Sequence, residues 1–417
     1  MFDLSSHQLI TACAAAVAFV AISARLYPRL SLSGPLTKTG EGNGERHGSR
    51  QHYTTWKAAE LFLNPPNTDI QALLLSRSIP NQRLVRAFGL NNTFVSADPH
   101  IHSQFRSRAV KIMNSVTSWS TLFDIASEAA ETSLPAAPHS SSPYDIFIQD
   151  ITIRVVLIGL LGVDRNPEDL DPISVRAVGT LISQLWTLSK TVHEPDQALK
   201  DQLRFHLARL FGDQSEFDNP LDFLIPTWET LWRVVATTLA YTHRNVQYRS
   251  AFSRLAEERS MKQFRTAEDG TPSAQSVITE VLRLHPPSRR IHRAVPSGYL
   301  PGFLEWVIGR HYRPEVADIE AVHHSQDIWG PTSNVFDPMR HEGLEMTEDR
   351  RTLAFGAGRL QCIAKNWAPM AAGIIVAAIL DKLHPDVDTG FESEFRVIEG
   401  DCLGGRDGWE GWSVVRL

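Results

Sequence analysis

Two stretches of this chain are apolar on nearly every side of a helix, and they leave it little choice of fold class. "PYDIFIQDITIRVVLIGLLGVD" (143–164) carries apolar residues at helical intervals and around almost its whole circumference; "NPLDFLIPTWETLWRVVATTLAYTHR" (219–244) runs apolar for about seven turns. A helix that is apolar all round has to be covered all round. The chain therefore predicts a mainly helical fold, with the second stretch as its long central helix, Asn219 as N-cap and Pro220 in the first helical position. A further helix opens with Thr271 and Pro272 in "TPSAQSVITEVLRLHPP" and has to stop before Pro286 and Pro287. A last one runs over about 363–383. Alternation of apolar and polar residues is scarce, so strands are a minor part of the fold.

With 42% hydrophobic and 21% charged residues in 417, the chain has material for a large core, which excludes disorder as its general state. A net charge of −6 gives no general electrostatic reason to bind nucleic acid, and none is expected as a partner. The one dense basic cluster, "RRIHR" (289–293), reads as a solvated face. Cys13, Cys362 and Cys402 are odd in number and widely spaced, which argues against a disulfide framework and against a two-cysteine metal knuckle. Cys362 is expected to act alone.

Residues 9–24 form an apolar run that Leu26 and Tyr27 extend if Arg25 snorkels, and a spanning helix needs roughly 17–25 residues. Asp3 precedes the run, whereas Arg25, Arg29 and Lys38 follow it. That is the reverse of a cleaved signal peptide, and positive-inside logic leaves the bulk of the chain in the cytosol. Residues 1–30 are thus expected to be a single-pass anchor in the endoplasmic reticulum membrane. The stretch 31–50, rich in Gly, Ser and charge, reads as a flexible linker to a folded domain over 51–417.

"FGAGRLQC" (355–362) sets two glycines and an arginine ahead of Cys362, directly before the predicted last helix. A helix N-terminus and nearby N–H groups lower a thiol's pKa from about 8.5 and favour the thiolate, a nucleophile or metal ligand. The bland alternative is an inert buried cysteine beside a turn. Gly356 and Gly358 let the backbone turn tightly and approach something flat and bulky. Upstream, Glu280 and Arg283 stand at i and i+3, a spacing that in isolation gives a surface ion pair worth about 0.2–0.5 kcal/mol. Between these segments, "HHSQDIWGPTSNVFDPMRHEG" (323–343) brings Phe336, Pro338 and Arg340.

In this order along the chain, the glutamate–arginine helix, the aromatic–proline–arginine turn and the glycine-turn cysteine resemble the cytochrome P450 family of haem-thiolate monooxygenases. The family's Phe-x-x-Gly-x-x-x-Cys loop is matched by Phe355, Gly358 and Cys362. The resemblance implies that Cys362 is the axial ligand of a haem iron. It makes Glu280, Arg283 and Arg340 a buried charge triad that braces the cysteine loop, structural rather than catalytic. Through "WETLW" it gives Glu229 and Thr230 the part of an acid–alcohol pair that manages protons above the haem; the bland reading of the two is one polar turn. Through "HIHSQFRSRA" it makes His102 and Arg106 partners of the haem propionates, with Arg293 as a third. The motifs extend from about Asp98 to Cys402.

Several positions depart from the family pattern. Leu360 stands where a basic residue usually meets a propionate, and Arg359, one place early, is the candidate for that contact. Ala364 replaces a common glycine. Pro226 and Thr227 replace the alanine and glycine that open the oxygen pocket, so the central helix is expected to kink one turn before Thr230 and leave room for a water. Pro369 predicts an irregular start to the last helix. Residues 54–90 show helical spacing and no alternation, so the family's first β-sheet is expected to be shortened or missing.

The function implied is a membrane-anchored monooxygenase that oxidises a lipophilic small molecule, of the fungal secondary-metabolite type. It would use O2 and electrons from NADPH delivered by a cytochrome P450 reductase. One alternative keeps haem and thiolate but rearranges or couples its substrate, with Pro226 as its support. Another is a non-catalytic haem-binding protein, drawing on Leu360 and the reduced sheet. A cysteine hydrolase built on Cys362 leaves the Glu280–Arg283 helix without a purpose.

Overall fold

The central helix of the computed structural model is the element around which the others are laid. Residues 51–116, 118–191, 195–212, 217–297, 311–343, 352–384 and 394–417 are described; the expected anchor (1–30) and linker (31–50) lie outside them. Among the described residues no helix is long and apolar enough to cross a membrane.

The chain runs β1 (His52–Tyr53), α1 (Trp56–Leu63), α2 (Ile70–Phe88), α3 (Pro99–Ser115), α4 (Trp119–Ser133), β2 (Ser141–Pro143), α5 (Tyr144–Val155), α6 (Pro172–Leu188) and α7 (Gln197–Phe211). The central helix α8 (Leu221–Thr242) follows, then α9 (Val246–Glu257), α10 (Met261–Arg265) and α11 (Ala274–Leu284). The order ends with β3 (Arg290–Pro296), β4 (Tyr312–Asp318), α12 (Ile319–His323), α13 (Gln326–Trp329), α14 (Ala368–Leu383), β5 (Phe395–Ile398) and β6 (Ser413–Arg416). The apolar stretch 143–164 becomes α5, which loosens into a π-helical turn at Val156–Leu160.

Helix α8 packs against α5 and α14. Trp228 and Trp232 are fully buried, and the Trp228 indole N–H donates to Thr152 Oγ1 of α5 at 3.0 Å. The Asn219 carboxamide accepts from the Leu221 N–H at 3.2 Å, so it caps the helix from just ahead of Pro220. Pro226 does not interrupt α8. A proline leaves the carbonyl four residues earlier without its helical donor. That carbonyl, of Asp222, accepts from Asn92 Nδ2 at 2.9 Å, and Asn92 is itself buried. The gap expected to admit water is therefore filled by a side chain.

Two helix starts are later than the sequence suggests. Helix α11 begins at Ala274 with Ser273 as its cap, because the Glu342 carboxylate takes hydrogen bonds from both the Ser273 N–H and hydroxyl at 2.7 and 2.8 Å. Helix α14 begins at Ala368, not 363. A helix started at 363 would need an N–H from residue 369, which is proline; starting at 368 puts Pro369 in the first turn, where none is needed.

One sheet has the order β1-β4-β3, with β1 parallel to β4 (His52 opposite Val316) and β3 antiparallel to it (Arg290 opposite Asp318). Among the described residues the first sheet is thus short, not lost: its N-terminal contribution there is two residues, pinned by the Tyr53 hydroxyl donating to Glu315 Oε2 at 2.7 Å. The other sheet, β2-β6-β5, is antiparallel. Besides the main core, a small apolar cluster joins Ala59 and Leu63 of α1, Ala317 of β4, Ile319 and Val322 of α12, and Leu353 and Ala357 of the cysteine loop. That loop is thereby seated on α1 and the first sheet.

Asn92→Ala should cost about 1–3 kcal/mol in urea unfolding, because it leaves the part-buried Asp222 carbonyl without its donor. Asn91→Ala should stay within about 0.5 kcal/mol, since residue 91 contributes its backbone N–H to Asp222. Equal losses in the two would show that the Asp222 carbonyl has no special need of Asn92.

Candidate functional site

Five hydrogen bonds converge on the buried carboxylate of Glu280 in α11. Arg283 donates from Nε and Nη2, both at 2.7 Å, Arg340 from Nε at 3.0 Å, His341 from Nε2 at 2.8 Å, and the Asp337 N–H at 3.0 Å. Burial alone would raise the Glu280 pKa; the hydrogen bonds from Arg283 and His341 outweigh it and bring the group to about 2. The arginines then reach outward. Arg283 donates to the carbonyls of His323 and Ser333 at 2.9 and 2.6 Å, Arg340 to those of Thr332 and Val335 at 3.1 and 3.0 Å. His323 continues the path, because its Nε2 accepts from the Leu353 N–H at 2.8 Å. Burial and the nearby Arg283 charge hold His323 down to about 3, so it stays neutral in that role. A continuous line of bonds thus joins α11 to the start of the cysteine loop. The sequence reading missed His341 and His323; adjacency to Arg340 was the only signal for the first, and nothing local marks the second.

The cysteine loop is two tight turns. The Gly356 N–H donates to Leu353 O at 2.8 Å, the Gln361 N–H to Gly358 O at 3.0 Å, and the Cys362 N–H back to Phe355 O at 2.9 Å. Gly358 has φ 65°, and a Cβ there would lie 2.0 Å from Asn64 Cγ, so both backbone conformation and space require glycine. Phe355 packs against the main core. Helix α14 starts six residues beyond Cys362, so the thiol does not stand at or just before the helix start, contrary to the expectation from the sequence. Burial pushes the thiol pKa up, and a hydrogen bond from the Ala364 backbone opposes it. Cys362 nonetheless counts as exposed by its accessible surface.

Beside this loop lies a group of cations. Helix α2 packs against the turn 358–360 and against β3; Arg77 of α2 and Arg293 of β3 are 7% and 8% exposed. So the basic stretch 289–293 is not solvated throughout, since its last arginine is interior. Arg77 donates to the Thr93 carbonyl and hydroxyl, and Thr93 Oγ1 lies 2.6 Å from His102 Nδ1. Burial and the charge of Arg293 lower Arg77 to about 9; burial lowers Arg293 to about 10. Burial, Arg77 and Arg106 likewise lower His102. Arg77 Nε and Arg293 Nε are buried without hydrogen-bond partners. Two interior guanidiniums close enough to repel each other thus keep unused donors, which suit an anionic partner. Arg77 was not anticipated. Arg106 is exposed on α3, and Arg359 is exposed too, with its Nε 3.5 Å from Asn64 Oδ1.

Glu229 and Thr230 sit on α8 in different surroundings. The Glu229 carboxylate is buried, paired with Arg233 at 3.1 Å and with Arg406 from the loop between β5 and β6; its Oε2 has no hydrogen-bond partner. Burial raises its pKa, and Arg233 and Arg406 oppose that rise. The Thr230 hydroxyl turns back to its own helix, 3.5 Å from Pro226 O. Arg233 also donates to Pro287 O at 2.8 Å, which ties α8 to the approach to β3.

Glu280→Gln should destabilise the protein by about 3–5 kcal/mol at neutral pH, because it leaves buried arginines without their charge partner. Since Glu280 titrates near 2 in the folded state against 4.5 ordinarily, its stabilising effect is complete above about pH 4.5 and disappears as pH falls toward 2. Denaturant melts from pH 6 to pH 2 should show a clearly flatter acid limb in the variant. Parallel limbs would mean that Glu280 is not the group that titrates.

The family model described as cytochrome P450 matches residues 269–394, from the lead-in to α11 through α14. Over 112 residues the chain is 34% identical to a cytokinin hydroxylase of Arabidopsis thaliana, covering 27% of this chain and 21% of the relative. Over 125 residues it is 31% identical to a pisatin demethylase of Fusarium vanettenii, covering 28% and 23%. These matches span less than a quarter of the length of either relative. Similarity of fold extends much further. The ligand-free structure of CYP164A2 from Mycobacterium smegmatis matches 87% of this chain and 90% of its own with TM-score 0.52 at 18% identity. A six-coordinated cytochrome P450 from Thermus thermophilus matches 83% and 89% with TM-score 0.53 at 16% identity. Residues 269–394 thus match the cytochrome P450 family model, and the described residues share the mainly helical fold of these two solved structures.

Proposed function

We propose that this chain is a haem-thiolate monooxygenase, and the observation that carries the reading is the pairing of an accessible, loop-held thiol with a buried anion receptor beside it. Family and fold imply a haem held by a cysteine thiolate, and the residues present fit that group. Cys362 would supply the thiolate; Arg77 and Arg293, with His102 bridged through Thr93, would take the two propionates and satisfy the unused guanidinium donors. Arg106 and Arg359 are exposed and would add positive charge nearby, Arg106 close enough to lower His102. When bound, the haem supplies the activation of O2 for oxidation of the substrate. The protein's own part is to hold the thiol through the Glu280 network, to neutralise the propionates, and to exclude water with the apolar faces of α5, α8 and α14.

The names of the relatives, a hydroxylase and a demethylase, support an oxidative reaction on a small molecule. Electrons from NADPH through a reductase, attachment to the endoplasmic reticulum membrane by residues 1–30, and a place in fungal secondary metabolism complete the proposal. The apolar run 9–24 supports the attachment, and the Fusarium vanettenii relative supports the fungal setting.

One observation favours a second reading, rearrangement or coupling without ordinary oxygen insertion. Glu229 is held by two arginines, Thr230 faces its own helix, and Asn92 fills the gap opened by Pro226, so this pair is not arranged as an open proton path.

Reduced protein with carbon monoxide should show the strongly red-shifted Soret band of thiolate ligation, and Cys362→His should abolish it. A well-folded wild-type protein that takes up haem without that band would overturn the reading. In Thr230→Ala, product formed per NADPH consumed separates the two chemistries. A fall of at least about threefold, with haem content unchanged, supports a hydroxyl that handles protons. An unchanged ratio supports the second reading.

A further inference from the structure

A second cation cluster lies on the same helix as Arg77, six residues along α2, or about 9 Å. Arg83 and Arg406 both stack on the Trp186 ring, their guanidinium carbons 4.7 and 5.1 Å from its centre. Arg83 donates to Ser189 Oγ; Arg406 donates to Glu229 and, at 3.4 Å, to Ser183 Oγ. Lys190 is near enough to feel the charges of Arg406, Arg83, Asp407 and Arg233. Arg83, Lys190, Arg233 and Arg406 thus gather near the Glu229 carboxylate and the exposed Asp407.

Glu229 is paired with both Arg233 and Arg406, whereas neither Arg83 nor Lys190 has an ion-pair partner among the described residues. Arg83 has no carboxylate partner among the described residues. Burial, followed by the repulsion of Arg406 and Arg86, lowers it to about 10. Bringing arginines together in a half-buried space is unfavourable unless an anion joins them. The cluster is assembled from α2, α6, α8 and the β5–β6 loop. Through the bond from Arg233 to Pro287 it adjoins the approach to β3, the strand that carries Arg293. It thus shares α2 with the proposed propionate receptor and is tied through Arg233 to the approach to β3, while its residues are distinct from those of that receptor. Trp186 supplies an apolar wall on which the guanidiniums are stacked, so their N–H edges are pre-oriented.

We infer that Arg83, Lys190 and Arg406 bind the carboxylate or phosphate group of an otherwise apolar substrate. This rests on the proposed function and narrows its substrate from lipophilic molecules in general to organic anions with an apolar body.

The test is calorimetric titration of the purified full-chain holoprotein with dodecanoate, 2-naphthoate and dodecyl phosphate, against methyl dodecanoate and methyl 2-naphthoate. At least one anion should bind about tenfold or more tightly than its uncharged ester, with the better of carboxylate and phosphate naming the head group. Arg83→Gln should reduce that preference about tenfold, and so should the charge-balanced pair Arg406→Gln with Glu229→Gln, which guards against misfolding from a stranded carboxylate. Lys111→Gln, on the exposed face of α3, should leave it unchanged. Esters that bind as well as acids, a preference that survives both arginine variants, or no binding by any of the anions would overturn the inference. Haem content and the carbon monoxide spectrum of the same samples report on the oxygenase reading separately. Anion preference without the thiolate spectrum would sink that reading and keep the receptor, whereas a normal spectrum without preference would sink the receptor alone.

Discussion

The geometry of the cysteine loop depends on one buried carboxylate. Glu280 accepts from Arg283, Arg340, His341 and the Asp337 backbone, so a single charge fixes a helix, the turn at Pro338–His341 and, through His323, the first residues of the loop. Burying such a cluster is costly, and little net stability is expected from it relative to a well-packed apolar substitute. What it gives is position. Arg283 and Arg340 each hold loop carbonyls that no regular element supports, and Trp329 lies under both guanidiniums at 4.9 and 5.9 Å. A loop of two tight turns could adopt many shapes; anchored at Leu353 and seated on Leu63 and Ala317, it adopts one.

Away from this network, the interior around the loop is short of negative charge. Among the described residues Arg77 and Arg293 have no ion-pair partner and each keeps a buried Nε without a hydrogen bond, and several cations gather around Glu229. Ordinarily, buried cations are matched one for one, because an unpaired charge in a low-dielectric interior costs several kcal/mol. Among the described residues these two groups both involve helix α2, and the proposals above supply each with an anionic group. The two differ in character. The first, near the thiol, is interior and shares its donors with Thr93 and His102; the second is stacked on an aromatic ring and includes residues of a loop and of helix ends, which suits a ligand that comes and goes.

The prolines show how local rules are met by distant residues. Pro226 and Pro80 both lie inside continuous helices, and at Pro226 the released carbonyl is taken by a buried asparagine from the segment between α2 and α3. Pro369 is accommodated differently, by moving the start of α14 until the missing N–H falls where no donor is used. That shift leaves Cys362 held by turns alone, with burial rather than a helix end setting the level of its thiol.

Much was legible in the order of residues. The all-round apolar stretches 143–164 and 219–244 have to be interior helices, and they are; the tight turns at Gly356 and Gly358 follow from glycine's freedom at positive φ, and the spacing of Glu280 and Arg283 on one helical face is a property of the helix itself. Local sequence determines such features because they involve neighbours a few residues apart. Tertiary structure alone decided the rest. Nothing around Arg77, Asn92, His323 or Arg406 marks them in the chain, since each matters through a partner brought from elsewhere: Arg77 by its nearness to Arg293, Asn92 by the Asp222 carbonyl, His323 by Leu353, Arg406 by Glu229. The surplus of positive charge is likewise invisible in a chain whose net charge is −6. Charge is summed along a sequence, but its energetic cost is set by which groups share the same small volume away from water, and only the folded arrangement of α2, α6, α8 and the β5–β6 loop defines that volume.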